Sequence, residues 1–484
     1  MGQLPKMVAP DRSFTAFSQT YPDYARTHVL DTMRATDFAR LDETGQVYLD
    51  YTGGSLYPAS LVRDHAALLQ GAVFGNPHSI NPTSARSTHH VEAARAAVLE
   101  FFRADPEEYV VIFTPNASGA LRLVGESYPF EVGSHFLQIS DNHNSVNGLR
   151  EFAKAKGAAV RTTVNGVDLQ IDEAALRAEL AERPTAPSLF AYPAQSNFTG
   201  VQHSLRWIAQ AQELGWDVLL DAAAFAPTNR LDLSRYHPDF VPLSFYKLFG
   251  WPTGVGCLLA RRPALARLRR PWFAGGTIWA VSVQADWHVM ASDGEAFEDG
   301  TVNYLSLPAI PLGLRYLKRL GLSTIHRRVM CLTSWLLTEL TALRHSNGRP
   351  MVEIYGPHNT AGRGATIAFN FLDPDGRIVD ERLVDQAAAT AGLSLRTGCF
   401  CNPGSGEVAF GLAPAKLAAG YSDGRQVGFD EYLSVIGLQS AGAVRVSLGL
   451  ASNFADVAAF LDFAETTFRD QPQDPSALAP RQRC

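Results

Sequence analysis

The chain of 484 residues contains no run of about 20 apolar residues, the length a membrane-spanning helix requires. It has only five cysteines, Cys257, Cys331, Cys399, Cys401 and Cys484, too few and too scattered for a disulfide scaffold or a four-thiolate zinc centre. Charge of one sign is also missing. Against 42 Lys and Arg stand 48 Asp and Glu, a net charge of -6, so no concentrated positive surface is expected for nucleic acid or anionic membrane. Internal repeats and low-complexity tracts are absent. The opening Met1-Gly2-Gln3-Leu4-Pro5-Lys6 lacks the basic, apolar and small-residue order of a signal peptide, and Lys6 stands where a myristoylation signal wants Ser or Thr. These absences predict a cytoplasmic protein whose partners are small molecules or proteins.

What is present is an ordinary globular composition, 46% hydrophobic and 19% charged, with enough length for two closely joined lobes. Short β-branched or aromatic runs at Tyr109 to Phe113, His135 to Ile139, Ser188 to Tyr192, Asp217 to Leu220, Val241 to Phe245 and Gly254 to Leu259 alternate with helical stretches. That alternation predicts an α/β fold with a mainly parallel sheet. One helix between strands is read as capped by Ser204, faced inward by Leu205, Ile208 and Ala209, and stopped by Gly215. From about residue 310 the pattern changes to helices at Leu312 to Leu320 and Val329 to Leu343, with strands at Ala365 to Phe371 and Ala443 to Leu448. A last helix is capped by Asn453 and buries Val457, Phe460, Leu461, Ala464 and Phe468; the Pro- and Gln-rich stretch from Gln471 to Cys484 is expected to fray.

Chemistry enters at the predicted strand ends. Asp221 follows Val218-Leu219-Leu220 and Lys247 follows the run Val241 to Phe245, so both emerge where open α/β sheets bind ligands. An acid and a lysine in one crevice suit pyridoxal phosphate: the amine holds the aldehyde, and the carboxylate keeps the pyridine nitrogen protonated. Taken alone, the pair reads more readily as a helix cap and a solvated surface amine. Ser118, in Thr114-Pro115-Asn116-Ala117-Ser118-Gly119, sits where a strand turns into a helix, a natural phosphate seat. Ser244 and Thr301 are further hydroxyl donors.

Seven stretches then occur in a telling order: Tyr48-Leu49-Asp50, Gly75 to Ser79, Asp141-Asn142-His143-Asn144-Ser145, Pro193 to Gly200, Asp221 to Ala224, Ser244-Phe245-Tyr246-Lys247 and Arg396-Thr397-Gly398-Cys399-Phe400-Cys401. In this order the chain resembles the class V aminotransferase-fold enzymes, most closely the N-terminal desulfurase domain of molybdenum cofactor sulfurases, from about residue 46 to about residue 468. The resemblance implies the aspartate aminotransferase-like fold of pyridoxal phosphate enzymes. It implies a large domain over 46–308, a small one over 309–470 carrying the Cys401 loop, an N-terminal segment 1–45 packed on the small domain, and a flexible tail 471–484.

The same resemblance implies roles. Lys247 matches the Schiff-base lysine, Asp221 the acid facing the pyridine nitrogen, His143 the imidazole stacked on the ring, and Asn197 the amide bonded to the ring's phenolic oxygen. Ala117, Ser118, Ser244 and Tyr246 fall on phosphate-binding positions. Thr301 matches a threonine that reaches the phosphate from a neighbouring subunit, which implies a homodimer. Arg445 matches the arginine that holds the substrate carboxylate, with a strand-edge ion pair as its plain alternative. Cys401 matches the nucleophile that takes sulfur from L-cysteine and passes it to a protein or cofactor acceptor, and Asn402-Pro403-Gly404-Ser405-Gly406 is expected to form a mobile loop around it. No metal ligand set is expected.

Ala224 and Tyr246 depart from many cysteine desulfurases, which carry Gln and His there, and lean toward the sulfurase branch. Other readings stay open on the sequence: another pyridoxal enzyme of this fold in which Cys401 is incidental, a carrier or scaffold that no longer turns over, or a zinc module on Cys399 and Cys401.

Overall fold

The computed structural model describes residues 11–166, 168–419, 428–438, 440, 442–475 and 478–481. The Met1 to Lys6 opening and Cys484 lie outside them. Strands and helices alternate through the first half of the chain: β1 (Tyr109–Thr114), α1 (Ala117–Ser127), β2 (His135–Ile139), α2 (Asn144–Asn147), β3 (Ala159–Thr163), β4 (Leu189–Pro193), α3 (Arg206–Glu213), β5 (Asp217–Asp221), β6 (Phe240–Ser244), α4 (Phe245–Phe249) and β7 (Gly256–Arg261). The seven strands form one sheet in the order β1-β7-β6-β5-β4-β2-β3. Strands β2 to β6 pair in parallel, while β7 runs antiparallel to both β6 and β1. Val218, Leu219 and Leu220 in β5 are fully buried, as expected of a central strand with both faces covered, so it shows as an unbroken apolar run.

This topology positions the site. The carboxyl ends of β1, β2, β4, β5 and β6 lie at one edge of the sheet and deliver Ala117, His143, Asn197, Asp221 and Lys247 there. The approach is close at β7: a Cβ on Gly256 would stand 2.6 Å from the Cα of Asn116, so only glycine lets that strand pass the start of α1.

Local details differ from expectation. β6 stops at Ser244 and Phe245 already opens α4, so Lys247 stands on a short helix. The strand expected at Gly254 begins at Gly256 and runs to Arg261. In α3 the N-cap is Leu205 without a side-chain bond, the buried face is Trp207, Ile208 and Ala211, and Ala209 is exposed, because the helix starts one turn position later than Ser204 suggests.

Past the sheet, β8 (Ile278–Ser282) and β9 (Trp287–Met290) form a separate hairpin with Trp279 and Val283 exposed. Then follow α5 (Ala309–Leu320), α6 (Leu322–Ala342), β10 (Val352–Tyr355), β11 (Thr366–Phe371), β12 (Arg396–Gly398), α7 (Pro403–Ala409), β13 (Ala443–Ser447) and α8 (Phe454–Phe468). Strands β10, β11, β13 and β12 make a second, antiparallel sheet in that order. Asn453 caps α8 by a reciprocal bond with Asp456. The N-terminal segment is fastened to this region: Arg34 pairs with Asp456 at 2.5 Å, and Arg328 on α6 reaches Asp31 at 2.6 Å. Within the stretch expected to fray, Arg481 bonds Asp380, Glu381 and Asp430 at 2.7 Å each and its side chain is only 8% exposed.

Candidate active site

At the strand-end edge lies a cavity of about 160 Å³ lined by Ala117, Ser118, His143, Asn197, Asp221, Ser244, Tyr246 and Lys247, together with Asn116, Ser145 and Gln195. Its floor is built from caps and turns. Asn116 caps α1 by accepting from the Gly119 N–H at 2.9 Å, and the Ala117 N–H donates to Ser244 Oγ at 2.8 Å. The Ser118 and Ser145 hydroxyls are 2.6 Å apart. Backbone N–H groups at the start of an 11-residue helix and three hydroxyls therefore face one corner, a donor set that fits a phosphate.

Opposite that corner stand the ionisable groups. Asp221 accepts from the Ala223 N–H through Oδ1 at 2.9 Å, and among the described residues Oδ2 has no hydrogen-bond partner. Burial pushes the Lys247 amine below the ordinary lysine range; Asp221 opposes the shift, and Arg445 adds to it. A lowered amine pKa is the direction that suits a lysine that binds an aldehyde or moves a proton. His143 is likewise held below the usual histidine range, by burial first and then by Lys247 and Arg445. Its Nδ1 accepts from the Ser145 N–H at 3.1 Å, which assigns the proton of the neutral ring to Nε2. Burial raises the Tyr246 phenol. A lysine, an acid and an imidazole around a small cavity, with a phosphate seat at one end, fit pyridoxal phosphate in kind and in number.

Three residues singled out in the sequence stand outside this lining among the described residues. Arg445 is buried in the inner strand β13, where Nη2 pairs with Asp50 at 2.8 Å, Nη1 donates to the Asn197 carbonyl at 2.9 Å, and Nε has no partner among the described residues. Arg445 thus forms an ion pair on an inner strand, not at the sheet edge, and Asp50 also binds Arg396 at 2.6 Å, which faces Arg445 across β12 and β13. One carboxylate holds apart two like charges that would otherwise repel. Thr301 is exposed and lines a different cavity beside Thr114 and Glu298.

Cys401 is an exposed free thiol, and its charge is among those acting on Lys247. The loop expected to be mobile makes specific contacts. Asn402 is fully buried and caps α7, and a Cβ on Gly404 would stand 2.2 Å from the Ser140 carbonyl oxygen. The Asn144 N–H donates to the Cys401 carbonyl at 2.7 Å, and Asn197 Nδ2 donates to the Phe400 carbonyl at 2.7 Å. Polar, glycine-rich composition suggested mobility, but these residues are spent on capping and close contact. Asn197 accordingly links the cavity to the thiol turn.

Sequence reasoning gave no role to Asn116, Ser145 or Gln195. All three lie inside quoted motifs, but a hydroxyl or amide has no periodicity to mark it. Gln195 is held by donating to the Ala224 carbonyl at 3.0 Å and accepting from Gln202 at 3.0 Å.

Comparison with known proteins places this geometry. Molybdenum cofactor sulfurase from Bos taurus is 38% identical over 462 residues, covering 90% of this chain and 52% of the relative; that from Arabidopsis thaliana is 36% identical over 492 residues, covering 94% and 60%. The chain thus spans about half to three fifths of the length of these curated relatives. A cysteine desulfurase from Thermococcus onnurineus shares the fold with a TM-score of 0.74 at 24% identity, covering 90% of this chain and 97% of that one. One from Escherichia coli gives 0.70 at 22% identity, covering 90% and 98%. The profile of the aminotransferase class V family matches residues 47–460, and the chain belongs to that family.

Proposed function

We propose that the protein is a pyridoxal phosphate-dependent cysteine desulfurase, which takes sulfur from L-cysteine as a persulfide on Cys401 and releases L-alanine. One observation carries the reading: the turn bearing the exposed Cys401 thiol is hydrogen-bonded to the His143 loop and to Asn197, at the rim of a cavity that holds Lys247 and Asp221. The cysteine desulfurase fold and the sulfurase relatives support it.

In this reading Ala117, Ser118, Ser244 and Tyr246 seat the phosphate, Asp221 faces the pyridine nitrogen, and His143 covers the ring. The cofactor, when bound, supplies an electron sink that weakens bonds at the substrate's α and β carbons. Lys247, as a free amine, takes up the α-proton. Arg445, charged and fixed by Asp50, provides the field and remaining N–H groups for the substrate carboxylate. Cys401 attacks as a thiolate. The new sulfur-sulfur bond forms as the carbon-sulfur bond breaks, and the carbon fragment keeps the bonding pair, is protonated and leaves as alanine.

A homodimer belongs to the same reading. Trp279 is 79% and Val283 91% exposed on the hairpin, an apolar surface that a second subunit would cover while bringing its Thr301 to the phosphate. The same reading divides the chain into a large domain over 46–308 and a small one over 309–470, a division supported by the separate seven-stranded and four-stranded sheets. Cytoplasmic placement belongs to the same reading; separately, no described helix is long and apolar enough to cross a membrane. A protein or cofactor would accept the sulfur.

The deciding experiment incubates purified protein with L-cysteine and measures alanine and protein-bound sulfur. Equal amounts of both are expected in the first turnover. Cys401→Ser should keep the cofactor colour and form no persulfide; pyruvate or racemised cysteine as the product would point instead to another chemistry of the family.

A further inference from the structure

Asp141 lies two residues before His143 and its carboxylate is fully buried. It lines no part of the cavity, yet four donors converge on it. Oδ1 accepts from Ser196 Oγ at 2.7 Å, Asn402 Nδ2 at 2.8 Å and Ser405 Oγ at 2.5 Å, and Oδ2 meets His203 Nε2 at 2.9 Å. Asn402 and Ser405 directly follow the thiol turn, as cap and first turn of α7. Ser196 and His203 bracket the segment that carries Asn197. One carboxylate thus joins three segments that lie far apart in the chain.

The thiol turn needs such a hold. Phe400 and Cys401 have φ of +53° and +54°, a left-handed backbone that side-chain-bearing residues keep only where their surroundings over-determine it. The bonds that impose it come from the two sides of Asp141: the Asn144 N–H on the Cys401 carbonyl, and Asn197 Nδ2 on the Phe400 carbonyl. Asn402 Nδ2 also donates to Asn197 Oδ1 at 2.9 Å, closing the ring of contacts. A buried carboxylate accepting charge-assisted bonds is a stiff anchor, because every donor lost leaves charge unpaired.

We propose that Asp141 is a positioning residue that sets the Cys401 thiol relative to the His143 loop, so that persulfide formation depends on it although it touches neither substrate nor cofactor. The proposal rests on the desulfurase reading above. Its geometric part, that Asp141 holds the turn, is tested separately from turnover.

In the holoenzyme, Asp141→Asn should keep the cofactor absorbance and a KM for cysteine near that of the parent protein, while kcat for alanine release falls on the order of 100-fold, the size of loss a small misplacement of a reacting group produces. Alkylation of Cys401 by iodoacetamide, followed by mass spectrometry, should become severalfold faster. Cys331, half-buried on α6, is the internal control and should react at the parent rate, since general loosening would expose both. Unchanged kcat together with unchanged Cys401 alkylation would overturn the proposal, as would equal acceleration at both cysteines. Should Asp141→Asn fail to fold, Ser405→Ala removes only the contact to the thiol turn and is expected to shift Cys401 alkylation in the same direction; no shift overturns the proposal. If the parent protein releases no alanine from cysteine, the functional reading fails, while the alkylation comparison still decides whether Asp141 holds the turn.

Discussion

The N–H of Asn144 donates to the carbonyl of Cys401 at 2.7 Å, across 257 residues of sequence. This bond ties the backbone next to His143 directly to the backbone of Cys401. A displacement of either is felt by the other.

Gly404→Ala is the direct test. The added methyl group would stand 2.2 Å from the Ser140 carbonyl oxygen, so α7 must withdraw from the His143 loop and carry Cys401 with it. Alanine release should fall by about tenfold or more, with cofactor absorbance retained. Steady-state kinetics alongside the absorbance spectrum check this.

Asp50→Asn should destabilise the protein. It leaves Arg445 buried without its counter-ion, a loss of about 3 kcal/mol for breaking one partner of a buried pair. Urea denaturation of parent and variant at one pH gives the difference.

Arg445→Gln should raise KM for cysteine more than it lowers kcat, by on the order of tenfold or more, because a fixed guanidinium charge is worth most to the substrate's carboxylate. Alanine, which carries the same carboxylate, should inhibit the variant correspondingly less.

His143 makes stability depend on pH. Unfolded, its imidazole takes up a proton at about pH 6.5, whereas folded it does so only at lower pH. Between those values the unfolded state binds more protons, so stability falls as pH falls through that window. His143→Asn should lose this contribution: the drop in urea midpoint between about pH 7.5 and about pH 5.5 should be smaller than in the parent protein.

The ordered motifs made the cavity legible before any coordinates. Asp221, Lys247 and His143 each follow a run of apolar residues or a marked turn, and strand-end delivery is a consequence of parallel topology. The Asp141 contacts were invisible because Asn402 and Ser405 lie 261 and 264 residues away, and polar residues near glycine look the same whether they cap a helix or form an open loop. Strand β12, three residues long and starting with Arg396, has no hydrophobic alternation to betray it. Arg481 was hidden for the opposite reason: one arginine in a Pro- and Gln-rich stretch gives no hint that three carboxylates await it.

The β8 and β9 hairpin gives the molecule an optical reporter. Trp279 and Trp287 on its strands and Trp272 just before it are 79%, 49% and 49% exposed, three of the seven indoles in the chain. Covering them by self-association would shift the fluorescence emission toward the blue and shield it from iodide. Dilution should reverse both effects, so a single titration follows assembly without any label.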